Sequence, residues 1–332
     1  MVGYITFGIE IKKQSMKAVR PSDLKGKTKS ISPLKIRQAV VALKLGPGDE
    51  AVLKYMDFLS AYIPVGSVYF IHVLPKFDLF NALYEKEQES LVSDYQLNQE
   101  VIQRMEGKIQ SSLTNLDAHL TRFDVREGDP LEELLKDVED IAADLVVIGQ
   151  KNGASEHGIL ARNLARKITC NALVVPENAK TDIRRILVPI DFSPDSIDAL
   201  QTALALRQRL EPPVTITCVN VFDMPNFSLY RIQKTRKEVK KMLEEDRQEA
   251  FRAFLKTYAP EEEENIETVL IEREHPGIAN YLLDYAEETG CDFIVMGARG
   301  HSKVELLLLG SVTEKLLSSN EQVPTLIVKG SE

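Results

Sequence analysis

The sequence predicts two tandem α/β domains of the doubly wound type, each with a five-stranded, mostly parallel sheet and helices on both of its faces. Three observations predict it. The same order of short apolar runs and longer helical patterns occurs twice. The runs are apolar on both faces, as strands covered on two sides must be. A chain of 332 residues is long for one domain and suits two.

The elements follow in order. Residues 1–35 carry repeated lysines, serines, Pro21 and Pro33 with little hydrophobic period, and are expected to form a flexible arm. The first domain is placed at 36–178 and the second at 183–330, with the polar stretch from Pro176 to Asp182 as the linker region. First strands are Ala39-Val40-Val41-Ala42-Leu43 and Ile186-Leu187-Val188-Pro189-Ile190, each followed by a helical pattern, Glu50 to Ala61 and Ser196 to Leu210. Second strands run Ser67 to Val73 and Val214 to Val221, and a long polar helix-favouring stretch follows each. Third strands are Arg122 to Val125 and Thr268 to Ile271. Pro130 and Pro276 then open helices running Leu131 to Ala143 and Gly277 to Glu288. Fourth strands run Asp144 to Ile148 and Asp292 to Met296; fifth strands run Ala172 to Val175 and Thr325 to Val328.

Composition narrows the function. The formal charge of −9 argues against general nucleic-acid binding, which needs a basic face. It leaves room for a small anionic ligand held by a few backbone N–H groups. Cys170, Cys218 and Cys291 are far apart and make no C-x-x-C pair, so they read as reduced thiols. No apolar stretch approaches the ~18 residues of a membrane helix, and residues 2–9 lack the flanks of a signal peptide, so a cytoplasmic location is expected. The basic run Arg231, Lys234, Arg236, Lys237, Lys240 and Lys241 and the acidic run at 261–264 read as solvated surface.

One motif carries chemistry. Gly297-Ala298-Arg299-Gly300 closes the second fourth strand, and Gly310-Ser311-Val312-Thr313 opens the next helix. Gly297 and Gly300 are expected to turn with positive φ and bring bare backbone to a ligand. Gly310 and Ser311 lie at a helix start, where unpaired N–H groups and the dipole favour phosphate. The hydroxyls of Ser311 and Thr313 can add hydrogen bonds. Each residue also has a structural reading: Asp191 suits a turn cap, Ser311 an N-cap, and Val221 a core position.

The spacing Gly297-x2-Gly300-x9-Gly310-Ser311, with Val188-Pro189-Ile190-Asp191-Phe192-Ser193 at the other end of the domain, resembles the ATP-binding branch of the universal stress proteins. The resemblance covers roughly residues 36 to 330 and implies a fold like that of the adenine nucleotide alpha hydrolases. It implies that Pro189 and Asp191 contact adenine and that Val221 lines the adenine or ribose pocket. Gly297, Arg299, Gly300, Gly310, Ser311, Val312 and Thr313 would surround ribose and phosphates. The implied ligand is ATP, with or without Mg²⁺, and no catalytic residue is assigned. The first copy departs from the pattern. Lys44 stands for Asp191, Gly149-Gln150-Lys151-Asn152 lacks the second glycine, and Arg162-Asn163 is aligned with Gly310-Ser311. Neither Gly153 nor Gly158 restores the spacing, so this domain is expected not to bind ATP in the family's manner. Relatives of this kind dimerise through their fifth strands, which implies pairing of Leu173-Val174-Val175 with Leu326-Ile327-Val328 inside one chain, or a homodimer. The expected role is nucleotide-dependent stress response or signalling through conformation or partner binding. The alternatives are a slow ATPase or adenylyl-transferring enzyme, and an interaction module without nucleotide.

Overall fold

The computed structural model describes residues 34–74, 87–150, 157–211, 213–226, 234–300 and 309–330, with backbone alone at 87–98 and 157. The expected N-terminal arm up to residue 33, and with it Lys151, Gly153, Arg231 and His301, lies outside the described residues. In the first half the elements are β1 (Ile36–Leu43), α1 (Asp49–Tyr62), β2 (Val65–Leu74), α2 (Glu87–Ser112), β3 (Thr121–Glu127), α3 (Pro130–Ile141), β4 (Leu145–Gln150), α4 (His157–Lys167) and β5 (Asn171–Pro176). In the second half they are β6 (Arg185–Pro189), α5 (Pro194–Arg207), β7 (Thr215–Asp223), α6 (Arg236–Tyr258), β8 (Ile266–Arg273), α7 (Ile278–Thr289), β9 (Phe293–Gly297), α8 (Ser311–Ser319) and β10 (Thr325–Val328).

The α/β repeat predicted from the sequence is present. The two five-stranded sheets are a single ten-stranded sheet in the order β3-β2-β1-β4-β5-β10-β9-β6-β7-β8. All pairs are parallel except β5 with β10, which are antiparallel, with Leu326 opposite Leu173 and Thr325 opposite Val174. Each half thus repeats the order 3-2-1-4-5, and the order reverses across the β5–β10 seam. In both halves the first strand lies between the second and the fourth. The crevice beyond the carboxyl ends of those strands is where an open α/β sheet holds a ligand.

Alternation along the strands divides the core between the two faces of the sheet. Val40, Ala42, Val146 and Ile148 share one face with Leu134, Val138 and Leu164 from α3 and α4, continuous with Leu187, Ile294, Met296 and Leu316 of the second half. Ala39, Val41 and Val147 alternate with them and are fully buried. Helix ends are specified locally. Asp129 accepts from the N–H groups of Leu131 and Glu132 before Pro130 opens α3, and Ser193 accepts from Ser196 N–H at the start of α5.

Residues 226–263 cluster as a separate compact unit, whose main element is α6. A capping box opens that helix, with Thr235 and Glu238 bonding each other's backbone. Phe251, Phe254, Leu255 and Tyr258 recur at helical spacing along its buried stripe. On its exposed side Lys240 and Lys241 pair with Glu244 and Glu245 one turn on.

Candidate functional site

A cavity of about 250 Å³ lies at the carboxyl ends of β6, β7 and β9, against the first turns of α5, α7 and α8. Every site residue expected from the sequence lines it: Pro189, Asp191, Val221, Gly297, Arg299, Gly300, Gly310, Ser311, Val312 and Thr313.

The turn after β6 sets the acidic side. Phe192 adopts a left-handed conformation, φ 64°, which costs a bulky residue about 1–2 kcal/mol. Asp191 Oδ1 accepts from Ser193 N–H at 3.0 Å, so the turn-cap role is real. The second carboxylate oxygen faces the glycine loop; a Cβ added at Gly300 would lie 2.5 Å from Asp191 Oδ2. The two ends of the motif therefore meet across the crevice.

The glycines act by space. The expected positive φ is not found at Gly297, Gly300 or Gly310; among the described glycines it occurs at Gly128, Gly277 and Gly290. Gly297 is required because a Cβ there would meet the Asp195 backbone at 2.8 Å, where α5 crosses the end of β9. At Gly310 a Cβ would press on Ala298 O at 3.3 Å and Arg299 Cα at 3.4 Å.

At α8, Gly310 is the N-cap and no side chain among the described residues caps the helix; Ser311 is the first helical residue and exposed. The N-cap reading of Ser311 is thereby corrected. Gly310 N–H donates to Ala298 O at 2.7 Å. Among the described residues no capping oxygen meets the first-turn N–H groups beyond it, which line the cavity with the positive end of the helix dipole behind them. Thr313 is buried, and its hydroxyl donates to Gly297 O at 3.0 Å, fastening α8 to the end of β9. Its proton is thus engaged by the fold. Arg299 is held at the rim, its N–H donating to Asp195 Oδ2 at 2.8 Å and its Nε 3.5 Å from the same oxygen.

Sequence reasoning missed Asp195, Ser196 and Asn220. Asn220 donates from its side-chain amide to Ile190 O at 2.7 Å and holds the strand-end turn against β7. A lone amide between Val219 and Val221 was the available signal. Lys329, at the end of β10, has its ammonium pushed down to about 8, first by burial and then by the nearby Arg299 charge. The three cysteines are free thiols; burial pushes Cys218 up to about 12 and Cys170 up to about 11. Among the described residues no helix is long and apolar enough to cross a membrane.

The model of the Universal stress protein family matches residues 35–176 and again 182–329. The chain belongs to that family. Two universal stress proteins of Methanocaldococcus jannaschii are similar to it. One is 30% identical over 46% of this chain and 85% of its own length; the other is 26% identical over 44% and 94%. Each thus spans about one of the two repeats. A universal stress protein from Archaeoglobus fulgidus shares the fold across both, with a TM-score of 0.58 at 18% identity over 89% of this chain and 97% of that one. A putative universal stress protein from Pseudomonas aeruginosa does the same at a TM-score of 0.51, 13% identity, and 88% and 93% coverage.

Proposed function

We propose that the C-terminal domain binds an adenine nucleotide, ATP with or without Mg²⁺, and that the protein works as a nucleotide-responsive module in stress response or signalling. The observation that carries this reading is the uncapped first turn of α8, opening on a cavity whose opposite wall is Asp191. Phosphate oxygens fit the bare N–H groups and the exposed Ser311 hydroxyl, with Arg299 at the rim. The base fits between Pro189, Val221 and Asp191, which offers acceptors to an exocyclic amine. The 250 Å³ cavity suits base and sugar, with the polyphosphate running out over α8. Bound nucleotide would tie the turn after β6 to the start of α8, which is how occupancy would change the surface offered to partners. The antiparallel β5–β10 ladder further supports reading the two domains as the counterpart of a fifth-strand dimer within one chain.

The test is to denature purified protein, identify any released nucleotide, and titrate ATP into wild type, Gly310→Val and Ser311→Asp. An aspartate in the first turn favours the helix yet repels phosphate. Ser311→Asp should therefore keep or raise the unfolding temperature while weakening ATP roughly tenfold or more, about 1.4 kcal/mol. Equal ATP affinity in all three proteins would remove the assignment. Turnover at roughly 1–10³ per second would place the protein among enzymes instead.

A further inference from the structure

The N-terminal domain was expected to be a degenerate copy, yet the corresponding place holds a larger cavity, about 480 Å³. The alignment that set Arg162-Asn163 opposite Gly310-Ser311 does not survive in three dimensions, because both residues lie inside α4. Ile168 N–H bonds Leu164 O at the end of α4 as Asn320 N–H bonds Leu316 O at the end of α8. That register sets Gly158 opposite Gly310 and Leu160 opposite Val312. The loop from Gly149 is four residues shorter than the loop from Gly297, nine against thirteen to the matching glycine.

In the right register the two cavities share their walls. Ala42 stands for Pro189, Val73 for Val221, Ile148 for Met296, Gly149 for Gly297 and Leu160 for Val312. The turns match as well: Leu45 is left-handed, φ 56°, where Phe192 is. His72 takes the place of Asn220, and its Nδ1 lies 2.9 Å from Leu43 O as the Asn220 amide lies 2.7 Å from Ile190 O. A carbonyl only accepts, so Nδ1 carries the proton, and in the neutral ring Nε2 is left as an acceptor.

The phosphate end is what differs. Ile159 and Ala161 replace the hydroxyls of Ser311 and Thr313. Asp49 replaces Ser196 and takes the backbone donors of the turn for itself, accepting from Lys44 N–H at 3.0 Å and Gly46 N–H at 3.1 Å. Lys108 balances that carboxylate at 3.3 Å, and a second carboxylate, Glu177, lines the same cavity. Among the described residues, a polyphosphate there would find the Lys44 and Gly46 turn donors already taken by Asp49, no hydroxyl at 159 or 161, and the Glu177 carboxylate facing the single lining cation Lys44, whereas an uncharged ring system would meet the aliphatic walls retained from the other domain. The volume lies within the ~300–1,000 Å³ of small-molecule sites.

We propose that the N-terminal cavity is a second small-molecule site, selective for an uncharged purine nucleoside over its nucleotides. The proposal rests on the nucleotide reading of the C-terminal domain, from which the shared walls take their meaning. The probe is adenosine, added to the full chain labelled at isoleucine and methionine methyls. Ile71 and Ile148 report this cavity and Met296 the other. Adenosine should shift Ile71 and Ile148 saturably, and an equal concentration of ATP should not displace it. Val73→Phe and, independently, Leu160→Phe should each weaken that response at least tenfold while leaving the Met296 response to ATP. Silent Ile71 and Ile148 methyls, ATP competing as an equal, or shifts that survive both substitutions would overturn the proposal. A responsive Ile71 beside a Met296 silent to ATP would support it and sink the C-terminal assignment instead.

Discussion

Gly297 and Gly300 stand three positions apart and serve different masters. At Gly297 a Cβ meets the Asp195 backbone at 2.8 Å, so room can be made only by moving α5 off β9. Gly297→Ala should cost about 1–3 kcal/mol of stability, the usual range for overpacking, and lower the unfolding temperature accordingly. At Gly300 the atom met is Asp191 Oδ2, the far end of a side chain and not backbone. Gly300→Ala should leave thermal stability within about 0.5 kcal/mol, as surface substitutions usually do, and weaken ATP about tenfold by displacing the carboxylate. Thermal unfolding and calorimetric titration of the two variants separate the roles. The reverse pattern, a destabilised Gly300→Ala that binds normally, would show that Asp191 serves the turn alone.

At the scale of elements, α1 is tied down by one carboxylate. Asp57 accepts from the N–H groups of Thr114, Asn115 and Leu116 and from the side chains of Thr114 and Asn115, at 2.7 to 3.1 Å. Burial alone would raise its pKa, but these donors outweigh it and hold the carboxyl below the usual range. The folded state then binds fewer protons than the unfolded one near pH 4, so this contribution is full above the ordinary aspartate value of about 3.9 and fades as pH falls through the lower folded value. Asp57→Ala should cost about 2–4 kcal/mol at pH 7, and Asp57→Asn should flatten the acid limb of the stability curve. A variant as stable and as acid-sensitive as wild type would refute the anchor. Elements of this kind also mark how far the sequence could be read. β1, β4, β6 and β9 were legible because their β-branched apolar runs suit only a doubly covered sheet. Pro130 was a plain helix start. The cap of α8 was not legible, because Gly310 and Ser311 are equally plausible N-caps until the turn is built. Asp195 and Asn220 were hidden because their partners, Arg299 and Ile190, are neighbours only in the fold. The N-terminal cavity was missed because its shorter loop shifted the apparent register of α4.

Across the whole ten-stranded sheet, the two domains are joined by more than the linker. Leu173 and Leu326 face each other in the β5–β10 ladder. Tyr55 of α1 stacks on Phe293 of β9, with ring centroids 6.1 Å apart and planes 6° from parallel. Gln150, at the end of β4, is buried and donates to Leu317 O at 2.7 Å and Asn320 O at 3.0 Å, the closing carbonyls of α8. Ala172, Val174 and Ile327 of the same seam belong to one buried core that runs from Val40 and Val146 in one half to Ile294 and Leu316 in the other, so the sheet should unfold as a single cooperative unit. A protease site placed in the linker at 178–182 gives the means to check. After cutting, the halves should co-elute and still melt in one transition, since each alone would expose an unpaired apolar strand edge. Gln150→Ala strands two helix-end carbonyls at about 1–3 kcal/mol together and should lower that shared transition, and with it the affinity for ATP at the far end of α8. Halves that separate on cutting, or that melt independently with only one responding to Gln150→Ala, would mean that the β5–β10 seam is a contact of convenience and that each domain carries its stability alone.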